Sequence, residues 1–262
     1  LYNSFMDEQS IEAAGTDPLE PDLALLEQAE DRDGLVLALA ALEASGVGGP
    51  VGLYVANDAK DATRYVPNLT QSGIGLPDRD YFFEDKHQQI REAYRAHLQR
   101  MFALTGAAER FGTTPADAAA RVYALEEKIA SHHWDQVTLR DANKRYNPHS
   151  FDQLDQAFPG FPWTRWIEGI GGTAEGFAKV IVGQPSALEG LARLWASEDL
   201  EDWRLWAVWR LIHARAPFLG ERIVQENFAF YSKTLTGTEQ IRDRWKRGVG
   251  LVESCLGEAL GE

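Results

Sequence analysis

The spacing of apolar residues predicts helices along most of the chain. Leucines three or four positions apart form one face of a helix, and this pattern appears first at Leu19, Leu23 and Leu26. Such segments often begin with an N-capping residue followed by proline, and Thr114-Pro115 is an example. We therefore predict a mainly α-helical protein. The segments with helical spacing are 17–26, 33–42, 90–102, 114–129 and most of the chain after residue 151.

One stretch departs from this pattern and predicts a β-hairpin at about residues 51–70. Glycines and Pro50 end the preceding helical pattern, and two runs rich in β-branched and aromatic residues then flank a polar Asn57-Asp58 turn. Pro67 has no amide hydrogen for a second neighbouring strand, so we expect its strand at the edge of a sheet. The predicted fold class is mainly α, a multi-helix domain with one small β-hairpin.

Three tryptophans form a stripe along one predicted helix. Trp203, Trp206 and Trp209 step three positions apart and are followed by Leu211 and Ile212. Rings of this size bury large areas when they pack against neighbouring helices. We interpret the stripe as part of the core and not as a ligand-binding site.

Composition restricts the partners more than it restricts the fold. The 262 residues are 44% hydrophobic and 25% charged, which excludes disorder, and the length suffices for folding without a metal. With 40 acidic and 26 basic residues the formal net charge is -14, which disfavours nucleic acid and anionic membranes. The longest apolar run, Leu35 to Leu42, is far shorter than the roughly 20 residues of a membrane span. Cys255 has no disulfide partner, and we predict a small buried hydrophobe there.

The residues themselves show no catalytic or metal-binding motif. None of the six histidines has a second histidine at the four-residue spacing of a zinc-binding helix, and adjacent His132 and His133 point in different directions on a helix. The segment Arg242 to Arg247 is basic and contains Trp245, which is a pattern able to bind a phosphate backbone, but a helix face with salt bridges is favoured. We predict no catalytic residue and no metal ligand in this chain, and the substrate-binding residues stay unassigned.

Several short stretches, in the same order along the whole chain, resemble one protein family. The most specific is the block Gly75 to Tyr81, which reads Gly-Leu-Pro-Asp-Arg-Asp-Tyr. The others are Tyr2 to Asp7, Val55 to Asp61, Leu125-Glu126, Arg140-Asp141 with Tyr146 to Pro148, Phe228 to Tyr231 with Leu235 to Gly237, and Arg244 to Arg247 leading into Leu256 to Gly261. Together they resemble the neprilysin and endothelin-converting-enzyme zinc metallopeptidases. A bacterial member is favoured because Phe5 replaces a cysteine of the vertebrate relatives.

The resemblance implies a zinc-dependent metalloendopeptidase in which a mostly helical domain closes over a thermolysin-like catalytic domain. Residues 1–262 would belong to the amino-terminal covering domain, which shapes and gates an enclosed chamber for peptides and is not catalytic alone. The family's zinc motif H-E-x-x-H would lie beyond Glu262, so zinc would be bound by the full-length enzyme and none by this chain. Its partners would be peptide substrates and its own catalytic domain.

The two ends of the sequence bear on this expectation. Apolar residues at helical spacing occur from Leu1 to Ile11 and again from Leu251 to Leu260, so we expect a chain truncated at both ends. The resemblance implies that the catalytic domain is absent from it. Both a cytoplasmic and a secreted bacterial location stay open. Two other functions stay open as well, a stand-alone helical module that binds peptides or proteins, and a nucleic-acid binder that uses Arg242 to Arg247.

Overall fold

Helices make up most of the structure, a computed structural model that describes residues 1–261 of the chain and the side chains through Ala259. Within these residues no helix is both long enough and apolar enough to cross a bilayer. The predicted mainly α fold is confirmed. In chain order the α-helices are α1 (Tyr2–Met6), α2 (Glu8–Ala14), α3 (Glu20–Glu27), α4 (Arg32–Ala44), α5 (Asp80–Phe83), α6 (Gln88–Thr105), α7 (Ala107–Arg110), α8 (Pro115–His132), α9 (Phe151–Ala157), α10 (Trp163–Gly169), α11 (Pro185–Ser197), α12 (Leu200–Arg215), α13 (Glu221–Phe228) and α14 (Arg244–Gly261).

The predicted hairpin is present and belongs to a larger sheet, but its turn is at residues 59–60, because Asn57 and Asp58 still pair as the end of the first strand. Its strands are β1 (Val51–Asp58) and β2 (Asp61–Gln71), and two short strands, β3 (Asn147–His149) and β4 (Val180–Val182), complete a sheet with the order β1-β2-β4-β3. The hairpin is antiparallel, β2 and β4 are parallel, and β3 and β4 are antiparallel. The sequence did not predict β3 and β4, because three residues are too few to show the alternation of a strand.

The expectation that Pro67 lies on an edge strand is wrong. Strand β2 has β1 on one side and β4 on the other. Its pairing with β4, however, covers only Asn68 and Leu69. Pro67 stands just before this paired part, so its missing amide hydrogen removes no bond to β4.

The two faces of the sheet have different environments. Successive side chains of a strand point to opposite faces, and the pairing of Leu69 with Val182 places both on the same face. Both of these residues are fully buried in the core. The other face carries Tyr54, Asn68 and Ile181, and it is the outer face of the sheet.

Helix α12 lies in the middle of the core. It packs against α3, α4, α6 and α8, and Trp203, Trp206 and Trp209 are all fully buried, which confirms the predicted aromatic seam. Their polar edges are hydrogen-bonded. The indole of Trp206 donates to the carbonyl oxygen of Gly73 at 2.9 Å, and that of Trp209 donates to the hydroxyl of Tyr94 at 3.0 Å. A helix that is apolar on several faces is therefore buried on several sides.

Helix α14 lies on the outside of the body and packs on α1. Arg244 Nε donates to the carbonyl oxygen of Phe5 at 2.8 Å, and the guanidinium lies 4.7 Å above the Phe5 ring. The prediction that Cys255 is buried is wrong, because it lies farther along α14 than this contact and is exposed. The predicted apolar stripe of α14 ends at Leu260, whose side chain lies outside the described residues. The expectation for Glu262 also falls outside them.

Candidate functional site

Polar side chains gather in two places that differ in their exposure. We call the first the buried cluster, which consists of Tyr94, His97, Glu126, Trp209, His213 and Tyr231, contributed by α6, α8, α12 and the π-helical segment Ala229–Thr234. We call the second the sheet pocket, which lies on the outer face of the sheet and is lined by Tyr54, Asn68, Thr70, Arg145, Tyr146 and Gln184, among others.

Glu126 is the centre of the buried cluster and is fully buried. Its Oε2 accepts two hydrogen bonds, one from the hydroxyl of Tyr94 at 2.8 Å and one from the backbone amide of Gly75 at 3.0 Å. Trp209 donates in turn to the Tyr94 hydroxyl. A carboxyl without such donors would be costly to bury, so these bonds are a condition for its place in the core.

Burial sets the protonation states of the cluster. It raises the pKa of Glu126 to about 7, although the positive charge of Arg210 acts in the opposite direction. It lowers the pKa of His213 to about 4, and it also lowers the pKa of His97. At neutral pH the two histidines are therefore uncharged, and Glu126 is divided between its protonated and ionised forms.

The cluster and two neighbouring side chains of α12 hold a loop by its main chain. Besides the bond from the Gly75 amide, the carbonyl oxygen of Ile74 accepts from Arg210 Nη1 at 3.3 Å, and that of Gly73 accepts from Trp206. A Cβ at position 75 would lie 2.0 Å from the Tyr94 hydroxyl oxygen, so only glycine fits. Gly75, the first residue of the specific sequence block, thus allows a close approach of the loop backbone to the core. Because Glu126 is closed to solvent, we interpret the buried cluster as a support for the loop.

The sheet pocket is a cavity of about 170 Å³ that opens to solvent. The outer face of β1, β2 and β4 forms its floor, and the segment 142–146 forms a wall. Tyr54, Asn68 and Thr70 supply hydroxyl and amide groups, and Arg145 supplies a guanidinium. Within the described residues, the Arg145 side chain makes no hydrogen bond and no ion pair, so its donors are available to a ligand.

Asp58 fixes the wall of the pocket. This buried carboxylate is ion-paired with Lys179 and accepts a hydrogen bond from the Tyr146 hydroxyl at 2.8 Å, and Lys179 also donates to that hydroxyl at 2.9 Å. The bond from Lys179, helped by the backbone amide of Lys60, holds the pKa of Asp58 at about 2. Lys60 lies 4.3 Å above the Tyr146 ring. The ring is thereby held in one position beside Arg145.

The described residues do not fit a zinc ion. Within residues 1–261 no three histidine, cysteine or acidic side chains lie close enough together to hold a metal. His97 Nδ1 is bonded to Glu226 Oε1 at 2.8 Å, and His133 Nε2 donates to the carbonyl oxygen of Ser72 at 3.0 Å. No reaction step through a metal can therefore be assigned to these side chains.

The basic segment Arg242 to Arg247 is partly engaged in packing. Arg244 and Arg247 both lie over the Phe5 ring, and Lys246 pairs with Asp243 at 3.0 Å. This arrangement agrees with a helix face that makes ion pairs.

The sequence did not lead to the sheet pocket. The signal that could have found it is the concentration of lysine and arginine near residues 60–64 and 140–145 in an otherwise acidic chain.

Comparisons with known proteins give a consistent picture. A family model described as Peptidase family M13 matches residues 1–262. The structure of the Mycobacterium tuberculosis zinc metalloprotease Zmp1 in its open state superposes with a TM-score of 0.94 at 46% identity, covering 99% of this chain and 40% of that one. Mouse membrane metallo-endopeptidase-like 1 is 27% identical over 221 residues, which are 80% of this chain and 29% of the relative. Human endothelin-converting enzyme 1 is 24% identical over 213 residues, 80% of this chain and 27% of the relative. The chain thus spans less than a third of the length of these two curated relatives.

Proposed function

The chain belongs to peptidase family M13, and from this membership we propose that it is the amino-terminal covering domain of a zinc metalloendopeptidase that hydrolyses peptides. The observation that carries the proposal is the match of the family model to residues 1–262, supported by 46% identity to a zinc metalloprotease. In this proposal the zinc belongs to the full-length enzyme, since the described residues of this chain do not fit the metal.

The proposed role of this part is to shape and gate an enclosed chamber, with the catalytic domain of the same enzyme as its partner. Exposed apolar side chains support such a partner. On the hairpin Val55 is 63% and Tyr65 is 74% exposed, and on α14 Trp245 and Val249 are about half exposed. Exposed apolar groups that lie together on one element are typical of surfaces that pack against another domain.

The experiment compares the full-length enzyme with residues 1–262 in the hydrolysis of a short quenched fluorescent peptide. We expect hydrolysis by the full-length enzyme that a chelator abolishes and zinc restores, and none by residues 1–262. The gating role predicts in addition that the same cleavage sequence is resistant when it lies within a folded protein. Hydrolysis that is insensitive to chelation, or hydrolysis by residues 1–262 alone, would contradict the proposal.

The alternative is a stand-alone module that binds peptides or proteins. The observation in its favour is the solvent-open sheet pocket, whose Arg145 has no ion pair among the described residues. This alternative predicts peptide binding without hydrolysis under every metal condition, so the same experiment separates the two functions.

A further inference from the structure

We infer that the sheet pocket binds a peptide carboxylate, with Arg145 as the anion-binding residue. The inference rests on the proposed function only in naming a peptide as the ligand. The anion site itself is argued from charge, free donors, size and rigidity.

The charge around the pocket is opposite in sign to that of the protein. The segments that form it, 52–70, 138–149 and 179–184, carry six basic and three acidic side chains, whereas the whole chain has a net charge of -14. A cationic recess on an anionic protein attracts anionic ligands at short range, because more distant charges are screened by salt. The composition of the whole chain therefore does not describe this surface.

The three carboxylates of these segments are already engaged. Asp58 is bonded to Lys179 and Tyr146. Asp61 accepts from the hydroxyl of Thr63 at 2.6 Å, and Asp141 accepts from a backbone amide at 3.0 Å.

Most of the basic side chains of these segments, in contrast, form no ion pair. Within the part of the chain that the structure describes, five of the six have no carboxylate within 4.0 Å. These five are Lys60, Arg64, Arg140, Lys144 and Arg145. Of the six basic residues, Arg145 lines the pocket, and the other five lie in the segments around it, whose basic side chains outnumber their acidic ones.

The donors and the size of the pocket favour a carboxylate. Guanidinium groups bind carboxylates through two parallel hydrogen bonds, and the Tyr54 hydroxyl is a second lining donor without an internal partner among the described residues. The volume of about 170 Å³ is well below the roughly 300–1,000 Å³ of pockets for drug-sized ligands. One amino-acid residue with its carboxylate suits this space, whether it is the last residue of a peptide or an acidic side chain.

The segment that carries Arg145 is held in place. Its own amide donates to the carbonyl oxygen of Asp141 at 3.3 Å, and Tyr146, the next residue, is fixed by Asp58. Asn147 then donates to the carbonyl oxygen of Val182 at 3.0 Å and joins the segment to the sheet. A rigid backbone lowers the entropy that binding must remove, so only the Arg145 side chain remains to be ordered when the ligand binds.

The test is fluorescence anisotropy with three labelled peptides of one sequence, on full-length protein kept in chelator so that no peptide is cut. One peptide has a free carboxyl terminus, one is amidated, and one is amidated and contains a glutamate. We expect the free or the glutamate peptide to bind at least about tenfold more tightly than the amidated one. The pair of carboxylate peptides tells a terminal from a side-chain ligand.

Arg145→Gln should remove this preference, and Tyr54→Phe should reduce it. The matched control is Arg242→Gln, which removes another exposed arginine that has no ion pair within the described residues and does not line the sheet pocket. The inference is overturned if all three peptides bind equally, if Arg145→Gln binds like the wild type, or if Arg242→Gln loses as much affinity as Arg145→Gln. The inference is also overturned if inorganic phosphate displaces all three peptides equally well from the wild type and from Arg145→Gln, because the anion binding would then be non-specific.

The outcome is independent of the proposed enzymatic function. If hydrolysis depends on zinc but peptide binding does not depend on Arg145, only the carboxylate site is contradicted. Binding that depends on Arg145 in a protein that hydrolyses no peptide would contradict only the proposed enzyme.

Discussion

The buried cluster and the sheet pocket are both rich in polar groups, but they differ in what these groups contact. In the buried cluster the Oε2 of Glu126 and the Tyr94 hydroxyl are bonded to other parts of the protein, and the result is a fixed loop. In the sheet pocket Arg145 and Tyr54 have no internal partner among the described residues, and both are exposed to solvent. The difference teaches that polar content does not identify a binding site. Whether the polar groups are already bonded within the protein matters more.

The largest expected effect comes from truncating the core of the buried cluster. Trp209→Ala should lower the free energy of unfolding by about 3–5 kcal/mol, because a large cavity is left and Tyr94 loses a hydrogen bond. Urea denaturation followed by circular dichroism measures the change. The measurement is made on residues 1–262, with Trp245→Ala on α14 as the matched control, because Trp245 is 51% exposed there and about 0.5 kcal/mol is the expected limit. Equal losses for the two variants would show that the contrast in packing is wrong.

The second-largest expected effect is a pH dependence of the unfolding free energy that arises from Glu126. Its pKa is about 7 in the folded protein and 4.5 in an ordinary setting. The unfolded chain therefore loses this proton at lower pH than the folded protein, and stability falls as the pH rises from 4.5 to 7. At about 1.4 kcal/mol for each pKa unit, this contribution is on the order of 3 kcal/mol.

Glu126→Gln should remove this dependence. The difference in unfolding free energy between wild type and variant is measured at pH 4.5 and again at pH 7.5, with Glu127→Gln as the matched control. We expect the unfolding free energy of the variant to rise relative to that of the wild type at the higher pH. A difference that stays constant between the two pH values would mean that Glu126 is not desolvated as described.

The smallest effect on stability is expected in the sheet pocket. Arg145→Gln and Tyr54→Ala should each change the free energy of unfolding by no more than about 0.5 kcal/mol, since both side chains are exposed and hold no other element. Thermal and urea unfolding measure this directly. A loss of 2 kcal/mol or more would place these residues with the buried cluster, as structural groups, and would remove the contrast between the regions.

Local patterns were sufficient to predict much of the fold. The family was predicted from short motifs such as Gly75 to Tyr81, and the family model bears it out. The helical periodicity, the hairpin and the tryptophan seam were also predicted correctly, because each depends on residues close in sequence. The strands β3 and β4 were missed because their pairing depends on residues more than 30 positions apart.

The two polar regions could not be predicted for the same reason. Glu126 stands in a helix of an acidic chain, where a carboxylate is normally exposed, and its burial follows from neighbours on α6 and in the loop at Gly75. The sheet pocket joins Tyr54, Asn68 and Arg145, which are ordinary residues until the sheet brings them together. Only the excess of basic residues near Arg145 was visible in the sequence.

The loop at residues 73–75 has a consequence for the timing of motions in this protein. Surface loops usually rearrange within nanoseconds to microseconds. This one is bound through its own amide and carbonyl groups to Glu126, Trp206 and Arg210, so it cannot leave its place until those core groups separate. The Gly75 amide should then exchange its hydrogen for deuterium only when the body of the protein opens. Although it is a loop, this segment would then exchange its amide hydrogen as slowly as a core helix does.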